Sequence, residues 1–428
     1  MNEKWRMPNG YQDEEAKIEA NRCLSCKNPR CETGCPTHMR IRDFIQALKN
    51  GDRKEASSII HSCSSLPHIC SIVCPHERQC VGHCILNAKQ KPIQIGRLER
   101  YVTEQDPVKI KPAQSLGKRV AVIGTGPAGI SCAKELSIGG VSVDMYEATS
   151  GFGGILTYGI PNYRLDKQYV EKSLAELKAL SVQIFYDRKM DEQAILQLKD
   201  TYDAVFMATG LPKVRKLNID HEDANGVYDA LAFLKTVNEA VKENKGTLPV
   251  WDNTTTVVVG AGNVAMDAAR CAVRLGSEVI VIYRRSEQEA PATKEEITLA
   301  RQEGVSFRFL TNPVAVLVSK NQTVSGVRCE MMKLGEPDES GRRRPIGTKE
   351  YVDIHCDRFI SAIGQVAEDI YNAKVLQTDH LYLVCQDFKT SVDRIYAGGD
   401  LVNSSQTVVE AMVSGRTVAS MILKEFNA

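Results

Sequence analysis

The stretch that decides the fold is Lys118–Glu147, KRVAVIGTGPAGISCAKELSIGGVSVDMYE. Its first residues, Arg119–Ile123, form an apolar, β-branched run, and a helix-forming segment and a second strand follow. Between strand and helix, the spacing G-x-G-x-x-G gives a tight turn, close backbone approach to a pyrophosphate and close packing of helix on strand. This turn contains Gly124, Gly126, Pro127, Ala128 and Gly129. An acid at the end of the second strand, Glu147, is placed to bind a ribose hydroxyl. The stretch predicts a dinucleotide-binding βαβ unit.

A second stretch of the same design begins with the β-branched run Thr255–Val259. Its glycine turn, G-x-G-x-x-A, contains Gly260, Gly262, Asn263 and Val264. At the end of the next strand, where the first unit carries an acid, this unit carries Arg284 and Arg285. An acid repels a 2′-phosphate, whereas guanidinium groups bind it bidentately. The first unit therefore suits the adenosine of FAD, and the second favours NADP(H) over NAD(H).

Length and charge narrow the class of protein. A chain of 428 residues exceeds the size of a single hydrophobic core, so we expect two or three domains. Lys and Arg total 54 against 53 Asp and Glu, which gives no sign of a nucleic acid or membrane-surface partner. No apolar run approaches the length of a membrane span, and the N-terminus has no apolar signal core. We expect a cytoplasmic protein that binds neither nucleic acid nor membrane.

Cysteine is unusually frequent for such a protein. Fourteen cysteines would be surprising in a reducing compartment unless they bind metal or carry out redox chemistry. Nine of them fall between residues 23 and 84, in two runs and a single Cys63. The runs are Cys23-x2-Cys26-x4-Cys31-x3-Cys35-Pro and Cys70-x3-Cys74-Pro-x4-Cys80-x3-Cys84. Close spacing that ends in Cys-Pro is typical of ferredoxin-like iron–sulfur ligation. Two such runs predict two clusters in a small helical domain.

Zinc is the alternative for this region, because five histidines share it, and unliganded thiols are a second alternative. The histidines are His38, His61, His68, His76 and His83. Tetrahedral zinc usually shows a C-x2-C pair matched by a second pair or by H-x3–5-H. The sequence contains no such match. Iron–sulfur ligation is therefore favoured.

Glycine-rich segments after Glu147 indicate further contacts to a flat cofactor. GFGGI at 151–155 and YGIPNYRL at 158–165 make Gly154 and Arg164 candidates, with an ordinary irregular loop as the alternative. A strand at 203–209 ends in A-T-G, and the segment 357–364, which ends in A-I-G at Gly364, mirrors it. We expect the second of these strands to return the chain to the FAD domain.

The C-terminal segment carries the last cofactor candidates. A strand ends in A-G-G-D at Gly399 and Asp400, which can place the acid on ribityl or pyrophosphate hydroxyls. A long helix is expected over 406–422, and its first amides, near Gln406 and Thr407, can stabilise negative charge on a reduced flavin. The charged segment 333–349 predicts a surface hairpin, whose three arginines, 342–344, are interpreted as a solvated turn, with a partner contact as the alternative.

The ordered set of motifs resembles the family of glutamate synthase small subunits. It equally resembles the N-terminal half of dihydropyrimidine dehydrogenase, the flavin subunit of the bacterial dihydropyrimidine dehydrogenase, and the large subunit of NADH-dependent ferredoxin:NADP oxidoreductase. The resemblance runs from Cys23 to the C-terminal helix. The motifs that carry it, besides the two glycine turns, are R-C-L-x-C, C-P-T, I-G-R-L-E-R, Y-G-I-P-x-x-R-L, Y-R-R-S, A-I-G-Q and A-G-G-D.

The resemblance implies an α/β fold with an N-terminal all-α iron–sulfur domain followed by two Rossmann-like domains, the NADP domain inserted in the FAD domain. The expected ranges are 1–112 for the helical domain with two [4Fe–4S] clusters, 113–213 and 357–428 for the FAD domain, and 214–356 for the NAD(P)H domain.

The resemblance also implies the cluster ligands. One cluster would take Cys23, Cys26, Cys31 and Cys84. The other would take Cys35, Cys74, Cys80 and Glu99, at a position where some relatives carry a glutamine. A carboxylate ligand adds negative charge and should lower the potential of that cluster. Cys70 is the alternative eighth ligand.

The implied activity is that of an NADPH-oxidising flavoprotein. Hydride would pass to FAD, and single electrons would leave through the two clusters to a partner subunit or a ferredoxin. No catalytic acid or base is expected, because the cofactors supply the chemistry. An NADH-specific flavin subunit of dihydropyrimidine dehydrogenase is the runner-up.

Two other classes fit less well. A flavin disulfide reductase needs a cysteine pair beside the flavin, and the cysteines beyond residue 84 are solitary. They are Cys132, Cys271, Cys329, Cys356 and Cys385. A metal-bound interaction module with a degenerate nucleotide fold is the non-enzyme alternative, and the two intact glycine turns argue against it.

Overall fold

The computed structural model describes residues 3–105, 111–243, 248–338, 341–367, 376–377, 382–402 and 407–428. The α-helices are α1 Asp13–Asn21, α2 Arg30–Thr33, α3 Ile41–Lys49, α4 Arg53–Cys63, α5 Pro67–Val73, α6 Ile95–Gln105, α7 Pro127–Ile138, α8 Ile155–Tyr158, α9 Gln168–Ala179, α10 Glu192–Gln197, α11 Ala230–Glu243, α12 Asn263–Arg274, α13 Lys294–Gln302 and α14 Val408–Phe426. The strands are β1 Arg119–Ile123, β2 Ser142–Tyr146, β3 Gln183–Phe185, β4 Ala204–Met207, β5 Lys213–Val214, β6 Val227–Asp229, β7 Thr255–Val259, β8 Glu278–Tyr283, β9 Ser306–Phe309, β10 Thr311–Val318, β11 Val324–Pro337, β12 Arg343–His355, β13 Arg358–Ser361, β14 Gln365–Val366 and β15 Ile395–Ala397.

The N-terminal part is helical, as the sequence analysis predicts. Helix α3 places Phe44 and Ile45 in a core that also holds Ile60 of α4 and Leu98 of α6, each at most 1% exposed. Helix α4 begins at an N-cap, Asp52, whose carboxylate accepts a hydrogen bond from the third helical amide. Most cysteines of the two runs lie in loops and short turns around this core, while Cys31 lies in α2 and Cys70 in α5.

Five parallel strands form the first sheet of the described chain, in the order β15-β4-β1-β2-β3. Strand order reverses at β1, and ligands of such sheets bind beside the carboxyl ends of the strands at that point. Helices α7 and α14 pack closely together: a Cβ on Gly415 would lie only 2.2 Å from the carbonyl oxygen of Ala128. The packing brings the start of α7, beside the glycine turn, against the last helix of the chain.

A second parallel sheet has the order β6-β13-β7-β8-β9 in the described residues. Strand β13 lies between β6 and β7, with Phe359 paired to Val257. The expectation that residues 357–364 return the chain to the FAD domain is therefore wrong, because this strand completes the second sheet. Strand β13 and the A-T-G strand, β4, hold equivalent positions, because each pairs with the first strand of its own Rossmann unit, β7 or β1.

The charged segment 333–349 lies in an antiparallel sheet, β10-β11-β12, and the expected hairpin is confirmed. Across its outer face, the exposed pair Arg328 and Asp353 makes a bidentate ion pair at 2.8 and 2.9 Å. In the described residues, β5 and β14 form a separate two-stranded sheet.

The chain divides into two compact units. One contains Val214–Gln365, Tyr158–Asn162 and the N-terminal residues through Arg6; the other contains Met7–Thr157, Tyr163–Lys213 and Val366–Ala428. The division into three domains with the ranges given above stays a prediction, apart from the corrected position of β13. None of the helices that the structure describes is long and apolar enough to cross a membrane.

Candidate cofactor sites

The first glycine turn leaves an open space above it. Gly124 has φ +103°, and a Cβ there would lie 2.5 Å from the carbonyl oxygen of Ala208. A Cβ on Gly129 would lie 2.0 Å from the carbonyl oxygen of Gly124. In contrast, a Cβ on Gly126 would meet nothing within 4 Å. Close packing therefore requires glycine at positions 124 and 129. Gly126 instead borders a space that fits a pyrophosphate at the N-terminus of α7.

Glu147 joins the glycine turn to the segment that follows β2. One carboxylate oxygen accepts from the amide and hydroxyl of Thr125 at 3.1 and 2.6 Å. The other accepts from the amide and hydroxyl of Thr149 at 2.9 and 2.8 Å. Four donors fill the acceptor sites of a carboxylate, so a ribose hydroxyl could bind only by replacing one of them. The sequence analysis did not predict a role for either threonine.

The second glycine segment lies over the first turn. Gly153 and Gly154 have φ +106° and +53°, and the Gly153 amide donates to the Thr125 hydroxyl at 3.1 Å. A Cβ on Gly154 would lie 3.3 Å from the Cα of Gly126. The structure therefore brings Gly154 to the space that Gly126 borders. Arg164 is half-buried after the following turn.

The G-G-D segment also reaches the start of α7. Gly399 has φ +67°, its amide donates to the Ser414 hydroxyl at 2.7 Å, and a Cβ on it would lie 3.0 Å from the Cβ of Ala128. Burial, with a smaller contribution from the Glu410 carboxylate, raises the pKa of Asp400 to about 6. Thr407 caps helix α14, while Gln406 lies outside the described residues.

The second glycine turn repeats the geometry of the first. Gly260 has φ +121°, and a Cβ there would lie 2.3 Å from the carbonyl oxygen of Ala362, whereas a Cβ on Gly262 would meet nothing within 4 Å. The side-chain oxygen of Asn263, at the start of α12, is buried without a hydrogen-bond partner among the described residues. Val264 follows it, half-buried. An open turn with an unpaired polar atom fits a nucleotide phosphate.

Only one of the two expected arginines is free to face that nucleotide. Arg285 is 6% exposed, and its guanidinium donates to the backbone oxygen of Arg343 at 2.9 Å and to the Asp338 carboxylate at 2.5 Å. We expected both Arg284 and Arg285 to bind the 2′-phosphate. Because the Arg285 guanidinium binds the hairpin loop, only Arg284 stays a candidate for this role.

Arg284 lies in a group of cations. Partial burial lowers the pKa of Arg284, and the guanidinium group of Arg285 lowers it further. Arg342 and Arg215 act in the same direction. The Arg215 amide donates to the carbonyl oxygen of Gly364 at 3.1 Å, which places Gly364 beside this group. Like charges held together favour an anion such as a 2′-phosphate. The sequence located Arg342 only in a solvated turn and did not indicate Arg215.

Four cysteines line one cavity in the N-terminal part. They are Cys23, Cys26, Cys31 and Cys84, and all are half-buried. Apolar side chains from α3 and from the loop before α6 line the same cavity, including Ile41, Ile93 and Ile95. Burial, followed by the neighbouring Cys84 sulfur, raises the pKa of Cys31 to about 12. Thiols in this setting ionise when a metal binds them.

The other expected ligands form a deeper group. Cys80 is 6% and Glu99 is 8% exposed, and burial raises the pKa of Glu99 to about 8. Burial likewise raises the pKa of Cys35 and Cys80, and the Glu99 carboxylate contributes to both increases. The pKa of Cys74 is raised by its hydrogen bond with Cys70, by burial and by Glu99. The four side chains interact with one another, and each favours its neutral form until a cation is present.

Histidines do not supply an equivalent set. His61, His68 and Glu176 are the described group of metal-binding types whose ligand atoms lie within 4.8 Å of one another. The Lys134 ammonium, which is 5% exposed, bonds the Glu176 carboxylate at 2.7 Å and already balances its charge. We interpret this group as a structural ion pair with neutral imidazoles. The Nε2 atom of His76 is buried without a partner among the described residues.

Profiles of two known protein families match the chain. A profile for pyridine nucleotide-disulphide oxidoreductases matches residues 118–415. The chain belongs to this family. A profile for dihydropyrimidine dehydrogenase domain II with its 4Fe-4S cluster matches residues 2–109. The first profile covers both Rossmann units, and the second covers both cysteine runs.

Relatives share nearly the whole chain. The chain is 34% identical to the glutamate synthase [NADPH] small chain of Escherichia coli, over 96% of this chain and 92% of the relative. It is 32% identical to the glutamate synthase [NADPH] small chain of Azospirillum brasilense, over 96% of this chain and 89% of the relative. The NADP(+)-dependent formate dehydrogenase subunit beta of Moorella thermoacetica is 36% identical over 92% of this chain and 59% of its own length.

Solved structures share the fold. Mycobacterium tuberculosis FprA in complex with NADPH superposes with a TM-score of 0.62 at 18% identity, over 74% of this chain and 85% of the other. Thioredoxin reductase of T. acidophilum superposes with a TM-score of 0.54 at 15% identity, over 73% of this chain and 100% of the other.

These findings confirm several expectations. The fold class, the resemblance to glutamate synthase small subunits and the NAD(P)H-dependent oxidoreductase activity are confirmed. FAD, a nicotinamide nucleotide, NAD(P)(H), and 4Fe-4S clusters are confirmed as cofactors. The non-enzyme alternative is wrong. The number of clusters, the individual ligands and the cytoplasmic location stay predictions.

Proposed function

We propose that this chain is the electron-input subunit of a larger enzyme. It binds NADPH and FAD on its two Rossmann units and two [4Fe–4S] clusters in its N-terminal part, and it delivers electrons singly to a partner subunit. The observation that supports the proposal is the arrangement of the cysteines: one cavity is lined by Cys23, Cys26, Cys31 and Cys84, and a deeper group contains Cys35, Cys74 and Cys80 with Glu99 and Cys70.

The residues fit the cofactors that the family implies. When bound, FAD and the clusters would supply the redox chemistry, in which one NADPH and two oxidised one-electron acceptors give NADP⁺, two reduced acceptors and one proton. Gly126 and Gly262 leave room for the phosphates, and the amides at the starts of α7 and α12 face that room. Glu99 would complete the buried ligand group, with Cys70 as the alternative.

The nucleotide preference rests on the cationic group around Arg284. Arg342 and Arg215 lie close enough to affect the pKa of Arg284, and no acid takes the place that Glu147 holds in the first unit. A 2′-phosphate would balance this charge. NADPH is therefore the proposed donor, and the NADH-specific flavin subunit of dihydropyrimidine dehydrogenase is the runner-up.

Among the partners considered, a large subunit of the glutamate synthase type is the first candidate. Glutamate synthase small chains match this chain over nearly the full length of both proteins. The subunit named for formate dehydrogenase is matched over 59% of its own length. A dihydropyrimidine dehydrogenase subunit and a ferredoxin are the alternatives.

Anaerobic reconstitution tests the proposal. The purified chain, loaded with FAD, iron and sulfide, should contain the iron and labile sulfide of two [4Fe–4S] clusters. NADPH should bleach the flavin band faster than NADH at equal concentration. If neither nucleotide bleaches the flavin, the proposed function is overturned. Faster bleaching by NADH would favour the runner-up, an NADH-specific flavin subunit. Co-purification of the tagged chain from its native cell, with identification of the stoichiometric neighbour, decides among the partners.

A further inference from the structure

The cavity with four cysteines opens onto a face that combines apolar and basic side chains. We call this the outer face and define it by Leu24, Lys27, Arg30, Ile85, Lys89 and Lys91. Leu24, Arg30 and Ile85 line the cavity itself. The Arg22 guanidinium donates to the backbone oxygen of Lys91 at 2.5 Å, which fixes the Lys89–Lys91 segment beside the loop that begins at Cys23. The outer face is therefore one continuous surface around the cavity.

Two large apolar side chains of this face are exposed. Leu24 is 61% exposed and Ile85 is 53% exposed, and each directly follows a cysteine of the cavity, Cys23 or Cys84. Single exposed apolar residues are common on protein surfaces. Two at the mouth of one cavity, rimmed by charged residues, are typical of a protein contact site.

The charge of the outer face is strongly positive. Lys27, Arg30, Lys89 and Lys91 are exposed, and none has an ion pair with a carboxylate in the ranges that the structure describes. The acids nearest to Lys27 and Arg30 in sequence have other partners: Glu19 forms an ion pair with Arg22 at 2.8 Å, and the Glu32 carboxylate accepts from the Arg42 amide at 2.9 Å. Because the whole chain has a net charge of only +1, this face is a local excess of positive charge.

The deeper ligand group packs toward helix α14. Cys80 and Glu99 are buried, and the segment that leads to Cys74 packs inward, where the Cys70 thiol contacts Met412 of α14 at 3.8 Å. Helix α14 begins beside the G-G-D segment proposed to contact FAD. The deep group therefore lies on the flavin side of the helical part, and the cavity group lies on its solvent side.

We propose that the outer face is the docking surface for an acidic one-electron acceptor protein, whose carboxylates surround its own redox centre. This inference rests on the proposed function and specifies the chemistry of the partner. Opposite charges steer such a partner to the mouth of the cavity, and Leu24 and Ile85 then lose contact with water. A second copy of this chain does not fit, because a symmetric contact would bring the same basic faces together.

A binding experiment tests the docking surface. The reconstituted full chain is immobilised, and its affinity for an oxidised, acidic plant-type [2Fe–2S] ferredoxin is measured at low and at high salt. The double variant Lys89→Glu/Lys91→Glu should weaken binding by about tenfold or more at low salt. The control, Lys178→Glu/Lys320→Glu, makes the same change of net charge at exposed lysines elsewhere, and it should change affinity by less than about twofold.

The outcomes separate the two proposals. NADPH should bleach the flavin of both double variants at the wild-type rate, since neither pair belongs to a cofactor site. If bleaching is normal but both variants bind ferredoxin equally, the docking surface is wrong and the proposed function stands. Tighter binding of the basic protein cytochrome c than of ferredoxin would also overturn it. Failure of the wild-type chain to bleach would instead overturn the proposed function.

Discussion

The Cys70 thiol lies 3.8 Å from the sulfur of Met412 and donates toward it, which joins helix α5 to helix α14. The same thiol is hydrogen-bonded to Cys74. Two thiolates that bind different irons of one cluster stand farther apart than a hydrogen-bonded pair. Because Cys70 is engaged in packing, we propose Glu99 rather than Cys70 as the eighth ligand.

Iron content should separate these two residues. Cys70→Ala should retain the iron of both clusters, because it removes only a packing contact. Glu99→Ala should lose the iron of one cluster, whereas Glu99→Gln, which keeps an oxygen ligand, should retain it and raise the potential of that cluster. Iron and sulfide analysis with a redox titration followed by electron paramagnetic resonance measures both effects. Loss of a cluster in Cys70→Ala alone would reverse the assignment.

Two alanine substitutions in the first glycine turn should have different consequences. A Cβ at Gly126 meets no protein atom within 4 Å, so Gly126→Ala should fold normally and bind FAD at least about tenfold more weakly. A Cβ at Gly129 would lie 2.0 Å from the backbone of Gly124, so Gly129→Ala should lower the free energy of unfolding by about 2 kcal/mol or more. Flavin content and thermal unfolding distinguish them. Normal flavin binding by Gly126→Ala would place the cofactor elsewhere.

The two adjacent arginines of the second unit should also behave differently. Arg284→Ala should raise the KM for NADPH about tenfold or more and leave that for NADH nearly unchanged, because only NADPH carries the 2′-phosphate. Steady-state reduction of a small artificial acceptor measures both constants. An equal effect on the two nucleotides would contradict the assignment of Arg284.

Arg285→Ala should act on stability instead. It would remove the guanidinium that donates to the Asp338 carboxylate and to the backbone oxygen of Arg343, at a cost of about 2–3 kcal/mol. Arg301→Ala, which breaks an exposed ion pair with Glu287, is the matched control and should cost less than about 1 kcal/mol. Chemical unfolding of the three proteins tests the contrast.

The His61 imidazole should make stability depend on pH. Burial lowers the pKa of His61 in the folded protein, so the unfolded chain takes up a proton first as pH falls below about 6.5. The contribution of His61 to stability is therefore complete at high pH and is lost toward acid. His61→Asn keeps a donor for the Ser57 carbonyl, which His61 contacts at 2.9 Å, and should lose less stability between pH 7.5 and pH 5.5. Identical pH profiles of thermal unfolding would contradict this.

Much of the architecture follows from local sequence. The strand, glycine turn and acid of Lys118–Glu147 determined the first Rossmann unit, since φ near +100° at Gly124 and close packing at Gly129 are available only to glycine. In helix Ile41–Lys49, the buried residues Ile41, Phe44 and Ile45 follow the i, i+3, i+4 spacing of one helix face. These features depend on neighbours along the chain, which a single sequence displays.

Contacts between distant segments were decided by the tertiary structure alone. The sequence showed two adjacent arginines, but the hairpin loop at Asp338 decided that Arg285 is buried, and the fold brought Arg215 and Arg342 near Arg284. The sequence showed a strand that mirrors A-T-G, and the pairing with β6 and β7 decided its sheet. Strand pairing, burial and the direction of a long side chain depend on residues far away in the chain, and local patterns carry no information about them.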